Sequence, residues 1–328
     1  MTGRPPARFR QSFAFYVLRR LVMLVILLVA ISFVVFSFEY ITPGNVVDTL
    51  LGLSPRTPET VAALKHEYHL DEPFFTQYWI WARDAAQLDF GNSLRTTIPV
   101  SDTLRSRLPT SLFLGGYAFV MTMIFGVLLG AVAALKRRRL ADRGIVAGAI
   151  VGLSTPAFVS GILLLWLLAI EVKAFPSFGL GSGFFDELWH LTLPALSLAL
   201  ISTAFVLKHA RAAMVSVLDQ DYVTFARARG LSPRRVFFLY AVRNALIPVV
   251  TISGIILAFL ITGAVLVEVT FSLSGIGSLL VQAATTKDLP MLQGVVLVVA
   301  ATIMVANLLV DLVYAAIDPR IRLGGRTA

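Results

Sequence analysis

The sequence has 328 residues, of which 57% are hydrophobic and 14% are charged. An ordinary soluble domain carries roughly a quarter charged residues, so this composition excludes a soluble globular protein. The absence of cysteine excludes disulfides and cysteine-based metal or iron–sulfur sites. A net charge of +9 would suit nucleic acid, but in a membrane protein the placement of charges along the chain decides their role.

Six uncharged, mostly apolar runs of 17 to 26 residues follow one another along the chain. Each approaches the length that a helix needs to cross a hydrocarbon core of about 30 Å. We therefore predict an all-α polytopic membrane protein with six transmembrane helices. The first run lacks a small-x-small cleavage site after it, which predicts a retained helix and not a signal peptide. The runs are 21–38, 112–135, 145–170, 191–207, 245–267 and 289–310.

Charge placement predicts that both termini lie in the cytoplasm. With the N-terminus inside, the inner segments hold 20 of the 28 Lys and Arg residues and 5 of the 19 acidic residues. This is the positive-inside pattern of a multi-pass protein in the cytoplasmic (inner) cell membrane. The basic charge is then expected to face the lipid bilayer, and no nucleic-acid partner is expected.

Four parts follow in chain order. Residues 1–38 form a cytoplasmic tail and the first helix, and residues 39–111 form an extracytoplasmic segment between helices 1 and 2. Aromatic clusters in that segment predict a small cap folded against the membrane. Residues 112–315 form a five-helix core that contains the cytoplasmic loop 208–244, and residues 316–328 form a cytoplasmic C-terminal tail.

Small residues and prolines within the apolar runs predict local features of the helices. Glycines spaced by four share a helix face and allow close packing, within the bundle or at a subunit interface: Gly126 with Gly130, and Gly144 with Gly148 and Gly152. Three prolines each remove a backbone hydrogen bond and predict kinks: Pro156, Pro194 and Pro248.

The long inner loop carries its own helix signals. Asp219 or Asp221 can cap a short helix, and Gly230 can end it in a left-handed conformation. Ser232 and Pro233 then supply the N-cap and first turn of a second helix. Because a helix of about two turns is marginal alone in water, it should rest either on the lipid surface or in a groove of a cytosolic protein.

Several stretches of the sequence, in the same order along the chain, match one known family. They are 70–73, 77–78, 89–93, 107–112, 226–233, 243–248, 267–268 with Phe271, 275–277, 293–294, 307–311 and 318–322. They resemble the permease subunits of binding-protein-dependent ABC importers, and most closely the first permease of the branch that carries dipeptides, oligopeptides and nickel. Two features depart from the family pattern: Thr224 and Phe225 replace Glu and Ala of the general loop motif, and Ser274 replaces a proline of the branch.

The resemblance implies a type I ABC importer permease fold and several partners. These are a second permease of similar fold, two cytosolic P-loop ATPases that bind ATP and Mg, and an extracytoplasmic substrate-binding protein. The inner loop would be the coupling helix that docks on an ATPase, with Gly230 at the bend, Ala226 and Ala228 allowing close approach, and Arg227 and Arg229 pairing with acidic groups or lipid phosphates. The implied coupling residues are Asp221, Tyr222, Ala226, Arg227, Ala228, Arg229, Gly230, Leu231, Ser232 and Pro233.

Catalytic motifs are missing from the sequence. It contains no Gly-x-x-x-x-Gly-Lys-Ser/Thr, so ATP hydrolysis is expected on separate subunits, and no cofactor is expected on this chain. The four histidines predict no metal site, and Ser154 is expected to bond a backbone carbonyl beside Pro156 and not to act as a nucleophile. Neither feature supports an intramembrane enzyme.

Few ionisable residues fall within the apolar runs. Asp311 and Asn307, one turn apart near the inner boundary, are assigned to helix packing or to substrate contact. Glu171, Lys173 and Glu268 fall at the outer boundary and are expected to face headgroups or a bound partner. A nearly uncharged interior disfavours a proton-relay carrier.

The sequence thus predicts a permease subunit of an ATP-driven importer. With a homologous second permease it would form the pathway for di- or oligopeptides by alternating access. The alternative is a stand-alone secondary transporter of small solutes, for which inverted repeats and broken helices at the membrane midplane would be expected. Dipeptides, oligopeptides, glutathione-like molecules and nickel complexes all stay open as substrates, and the sequence names no pore-lining residue.

Overall fold

The computed structural model describes residues 8–41, 57–67 and 71–317, and within these ranges the chain is almost entirely helical. Apart from the helices, it forms one isolated bridge there, between Asn92 and Pro99. The helices of the described part are α1 (Arg8–Ile41), α2 (Pro58–Glu67), α3 (Phe74–Ala86), α4 (Val100–Leu135), α5 (Leu140–Ser154), α6 (Ala157–Leu164), α7 (Phe184–Leu218), α8 (Asp221–Ala228), α9 (Pro233–Val236), α10 (Arg243–Thr270), α11 (Ile276–Thr286) and α12 (Leu289–Ile317).

Two π-helical segments continue these helices. Leu165–Glu171 extends α6, and Phe237–Val242 joins α9 to α10. In the part of the chain that the structure describes, five helices are long and apolar enough to cross a membrane, namely α1, α4, α7, α10 and α12. Helices α5 and α6, with the π-helical extension, make a sixth span if this bent pair is counted as one. The prediction of an all-α polytopic membrane protein is confirmed.

The third predicted span, 145–170, is not a continuous helix. Its two halves are bent by 107° at a break before Pro156. Thr155 has φ −100° and ψ 118°, the extended conformation that a following proline favours. Pro156 therefore ends the helix instead of only kinking it. Ser154 donates its hydroxyl to the carbonyl of Ile150 at 3.0 Å, which is the structural role that the sequence predicts for it.

Helix α7 lies at the centre of the bundle. In its most apolar stretch 61% of the residues are buried, against 11% in α1 and in α12. A Cβ added at Gly126 of α4 would lie 2.7 Å from Val206 of α7, and one at Gly130 would lie 2.8 Å from Ala210. These two glycines therefore permit the close packing that their spacing predicts.

The other glycines and prolines singled out in the sequence differ in their surroundings and in their effect on the helices. Gly144 and Gly148 of α5 have nothing within 4 Å of an added Cβ, whereas one added at Gly152 would lie 3.5 Å from the carbonyl oxygen of Leu200 on α7. Pro194 and Pro248 lie inside α7 and α10, which continue through them as unbroken helices. Of the three prolines predicted to kink a span, Pro156 alone stands at a break between two helices.

Helix α3 packs against the C-terminal part of α1 through aromatic rings. Phe33 and Phe36 of α1 contact Phe74, Tyr78 and Trp81, with the pairs' ring centroids 5.3 to 5.7 Å apart. Edge-on and tilted contacts of this kind stabilise a pair beyond the burial of its surface. At the other end of α1, the structure ties the helix to α12 by an ion pair described below.

Candidate functional site

The short helix of the inner loop forms where the sequence predicts it. Helix α8 runs from Asp221 to Ala228, and its N-cap is Gln220, which makes no side-chain capping bond. The predicted capping by Asp219 or Asp221 is therefore wrong. Asp219 instead pairs with Arg137 at 2.7 Å, and Asp221 lies in the first turn, where a carboxylate interacts favourably with the helix dipole.

The turn after α8 has the geometry of a Schellman motif. Gly230 has φ +83°, and its amide donates to the carbonyl of Arg227 at 2.9 Å. The amide of Leu231 donates to the carbonyl of Ala226 at 3.2 Å. Since glycine adopts positive φ without a steric penalty, Gly230 is the residue that lets the chain turn sharply here.

The second helix begins at the predicted position. The hydroxyl of Ser232 accepts a hydrogen bond from the amide of Arg235 at 3.4 Å, and Pro233 occupies the first turn of α9. Both choices match residue preferences at helix starts. The helix, bend and second helix of the prediction are thus present in the structure.

One face of α8 is anchored on this chain. Val223 has no exposed surface and Ala226 is 5% exposed, and both pack with Val236 of α9. Leu218, Leu231, Tyr240 and Val217 surround this small cluster. The resemblance assigns close approach to a partner to Ala226 and Ala228. Ala226 is buried against residues of this chain, whereas Ala228 is exposed.

The opposite face of α8 and the following turn are exposed. Phe225 is 69% exposed and Tyr222 is 42% exposed, and Arg227 and Arg229 are also exposed. Within the described ranges neither guanidinium forms an ion pair. A buried anchor beneath an exposed aromatic and two cations makes a surface suited to an apolar cleft with an acidic rim.

An ion pair links the two helices α5 and α7, which precede α8 in the chain. Asp142 of α5 accepts two hydrogen bonds of 2.7 Å from the guanidinium of Arg211 on α7, and a third from the amide of Arg138 at 2.9 Å. Paired, bidentate geometry of this kind is the strong form of the Arg–carboxylate contact. The pair links α5 to the part of α7 that leads into α8, and sequence reasoning missed it because the two residues are 69 positions apart.

Glu268 lies in a place that the sequence prediction got wrong. Its side chain has no exposed surface, so it faces neither headgroups nor a bound partner. Oε1 accepts a hydrogen bond from the Ser111 hydroxyl at 2.6 Å, and Oε2 accepts one from the amide of Ser278 at 3.0 Å. Ser111 in turn accepts a bond from the amide of Ile276 at 2.7 Å. The Glu268 carboxylate and the Ser111 hydroxyl together therefore satisfy the amides of Ser278 and Ile276 at the start of α11.

Glycines next to Glu268 make this arrangement possible. A Cβ added at Gly275 would collide with the Glu268 carboxylate, and one at Gly277 would lie 2.5 Å from the Cα of Val265. Both glycines belong to stretches that carry the family resemblance. Gly275 and Gly277 thus indicate a close approach in the sequence, but nothing in a single sequence shows that the approaching group is Glu268.

Asp311 serves helix packing, one of the two roles that the sequence left open. Its carboxylate lies 3.1 Å from the guanidinium of Arg20, which connects α12 to α1. Among the described residues, no group of three or more His, Asp or Glu side chains could hold a metal ion. His190 contacts Asp186 on its own helix, at 3.3 Å between the ring nitrogen and the carboxylate.

Comparison with known proteins finds matches that together cover nearly the whole chain. The family described as "binding-protein-dependent transport system inner membrane component" matches residues 126–323, and its N-terminal counterpart matches residues 13–115. A dipeptide transport system permease, DppB of Alkalihalophilus pseudofirmus, is 34% identical, with 94% of this chain and 99% of that protein covered. A glutathione transport system permease, GsiC of Escherichia coli, is 36% identical over 94% of this chain and 98% of that protein.

Solved structures support the same fold. The inward-facing MetNI methionine ABC transporter matches with a TM-score of 0.56 at 15% identity, covering 66% of this chain and 96% of that one. An amino acid ABC transporter solved with histidines matches with a TM-score of 0.50 at 16% identity, covering 67% of this chain and 94% of that one. The chain therefore belongs to the family of binding-protein-dependent transport system inner membrane components, and it is an ABC transporter permease.

Proposed function

We propose that this chain is one of two permeases that together form the import pathway of an ATP-driven peptide transporter. Helix α8 is its coupling helix, which docks on a cytosolic ATPase. ATP-driven closure of two ATPase subunits, each holding ATP and Mg, moves the coupling helices and turns the cavity outward. The bundle then alternates between outward and inward access.

The observation that carries this proposal is the two-sided construction of α8. Val223 and Ala226 fix it to the chain, so a force on the helix is transmitted to α9 and to the π-helical segment that leads into α10. Phe225, Arg227 and Arg229 stay exposed for a partner. A stand-alone secondary transporter would have no use for such a surface.

Topology and partners follow from the same assignment. Placing α8 in the cytoplasm puts both chain termini there as well, in agreement with the excess of Lys and Arg in the inner segments. An extracytoplasmic binding protein would then deliver substrate at the opposite side, where α2, α3 and the loop before α4 lie. The permease core is proposed to span 112–315, preceded by the extracytoplasmic segment 39–111.

Peptides are the proposed substrate class. Two relatives that match nearly the whole chain are named for dipeptides and for glutathione, a peptide-derived thiol, and a third, from Sinorhizobium fredii, is named as a probable peptide ABC transporter permease. Their identities to this chain lie between 34% and 36%. We propose that di- or oligopeptides are carried, with selection by the binding protein.

Site-directed cross-linking tests the docking of α8. The chain has no cysteine, so Phe225→Cys introduces a single thiol for a photoreactive maleimide. We expect this variant, in the assembly extracted from its native membrane, to cross-link to a P-loop ATPase that mass spectrometry identifies. Phe178→Cys is the matched control, because Phe178 is 77% exposed but lies in the loop between the π-helical extension of α6 and helix α7.

The outcomes distinguish the two surfaces on which α8 could rest, a groove of the ATPase and the lipid surface. Cross-links from position 225 to an ATPase, and none from position 178, would support the coupling role. Cross-links from position 225 to lipid alone would overturn it and place α8 on the membrane surface. Recovery of the chain without a second permease or an ATPase, while a control complex stayed intact, would contradict the proposed assembly.

A further inference from the structure

A groove of about 630 Å³ lies between α1, α3 and α12. Its wall is almost wholly apolar and includes Leu28, Trp81, Leu297 and Ala301. The hydroxyls of Ser32 and Tyr78, which also line it, bond each other at 2.9 Å. The wall therefore presents no unsatisfied hydroxyl at that point, and an apolar occupant suits it.

The groove lies at a definite depth along the membrane spans. In the span Val17–Phe38 of α1, its wall begins at Leu28, near the middle, and continues toward the outer end. In the span Leu289–Leu312 of α12, its wall reaches Ala301, again near the middle. The groove thus extends from the centre of the bilayer to the boundary where α3 lies, which is the depth of one leaflet.

A basic side chain and an indole stand at the outer rim. Arg83 of α3 has a side chain that is 70% exposed, and its nearest paired carboxylate, Asp84, lies 3.8 Å away and is itself 45% exposed. An exposed contact of that length is weak. Trp79 beside it is 70% exposed. Aromatic and basic residues together are typical of the level of lipid headgroups.

We propose that this groove binds a phospholipid, with one acyl chain between α1, α3 and α12 and the phosphate beside Arg83. The apolar wall matches the acyl chain, the depth matches a leaflet, and the exposed guanidinium of Arg83, only weakly paired with Asp84, can bind a phosphate. The bound lipid would fill the space between the poorly enclosed helix α1 and the rest of the bundle. The proposal rests on the topology given above only for which leaflet supplies the lipid.

Native mass spectrometry of the tagged full chain in detergent, titrated with phosphatidylglycerol, tests the site. We expect one retained lipid per chain. Ala301→Trp, which fills the groove, should weaken retention by at least about tenfold, because the buried acyl methylenes lose their place. Arg83→Gln should weaken it by about two- to fivefold, the range of an exposed ion pair.

Matched variants control for damage to the fold. Ala30 lies on α1 at a similar depth, is exposed and does not line the groove, so Ala30→Trp should retain the lipid. Arg105 is an exposed arginine outside the groove, so Arg105→Gln should retain it as well. Ala86→Trp at the rim provides a second blocking variant in case Ala301→Trp fails to fold.

Each outcome decides the proposal. Loss of the lipid in the groove variants, with retention in both controls, would support it. Equal retention in all variants, or equal loss in all, would overturn it and assign the groove to another occupant such as a protein segment. The measurement needs neither ATPase nor transport, so its failure is distinct from a failure of the coupling proposal.

Discussion

The two ends of the helix bundle, which we propose face outward and inward, are held by different kinds of polar contact. At the outer end, the carboxylate of Glu268 is wholly buried and is bonded by a hydroxyl and a backbone amide. At the inner end, Asp142 pairs with Arg211, whose side chain is 30% exposed. Water can compensate for a lost partner only where the contact is open to it.

This difference indicates which end is built to keep one arrangement. The outer contact joins the start of α11 to α10 and α4 through the wholly buried carboxylate of Glu268. Each inner contact includes a side chain that water can reach, Arg211 at 30% exposure in one pair and both Arg137 and Asp219 in the other. These pairs lie on the helices and loops that precede α8, the helix that we propose moves with an ATPase. We expect the loss of the outer contact to lower the free energy of unfolding more than the loss of an inner contact.

The largest effect is expected from Glu268→Ala. The change leaves the amide of Ser278 and the hydroxyl of Ser111 buried without their acceptor and opens a cavity, so the free energy of unfolding should fall by about 3 kcal/mol or more. Denaturation in mixed micelles measures it. Glu268→Gln, which keeps one acceptor, should lose less, and Glu72→Ala at an exposed outer position should change little. Equal stability of the two Glu268 variants would contradict the role of the carboxylate.

A smaller loss is expected from Asp142→Ala. It removes the two carboxylate oxygens that accept hydrogen bonds from the Arg211 guanidinium. Because that arginine is partly exposed, the loss in the free energy of unfolding should be about 2 kcal/mol. The same unfolding measurement applies. Arg137→Gln is the matched control, because it breaks an inner pair whose side chains are 41% and 59% exposed, and it should lower stability by less than about 1 kcal/mol. An order of effects reversed between these two variants would break the comparison.

A modest effect on stability, but a specific effect on coupling, is expected from Gly230→Val. An added Cβ meets nothing within 4 Å, so the change acts only through the left-handed backbone, at about 1–2 kcal/mol. Reconstituted transport should become uncoupled from ATP hydrolysis. Gly91→Val is the control, since Gly91 has φ +73°, equally open surroundings and a position far from α8 in sequence. Uncoupling in both variants, or in neither, would remove the bend at Gly230 from the mechanism.

The sequence by itself determined the membrane class, the approximate spans and the local form of the inner loop. Apolar runs of spanning length fix where helices must lie, because hydrocarbon leaves every backbone group to be satisfied within the helix. Gly230, Ser232 and Pro233 fix the bend and the next helix start through backbone preferences that act over one or two residues. Such signals are local, so one sequence contains them in full.

Only the tertiary structure decided how distant polar groups meet. Glu268 is expected at a membrane boundary from its position, yet contacts with Ser111 and the start of α11 bury it, and Asp142 finds Arg211 on another helix. Pro156 predicted a kink, but the size of the bend, 107°, depends on how α5 and α6 pack around it. These outcomes depend on which helices become neighbours, a property of the packed bundle that residue order along one chain does not specify.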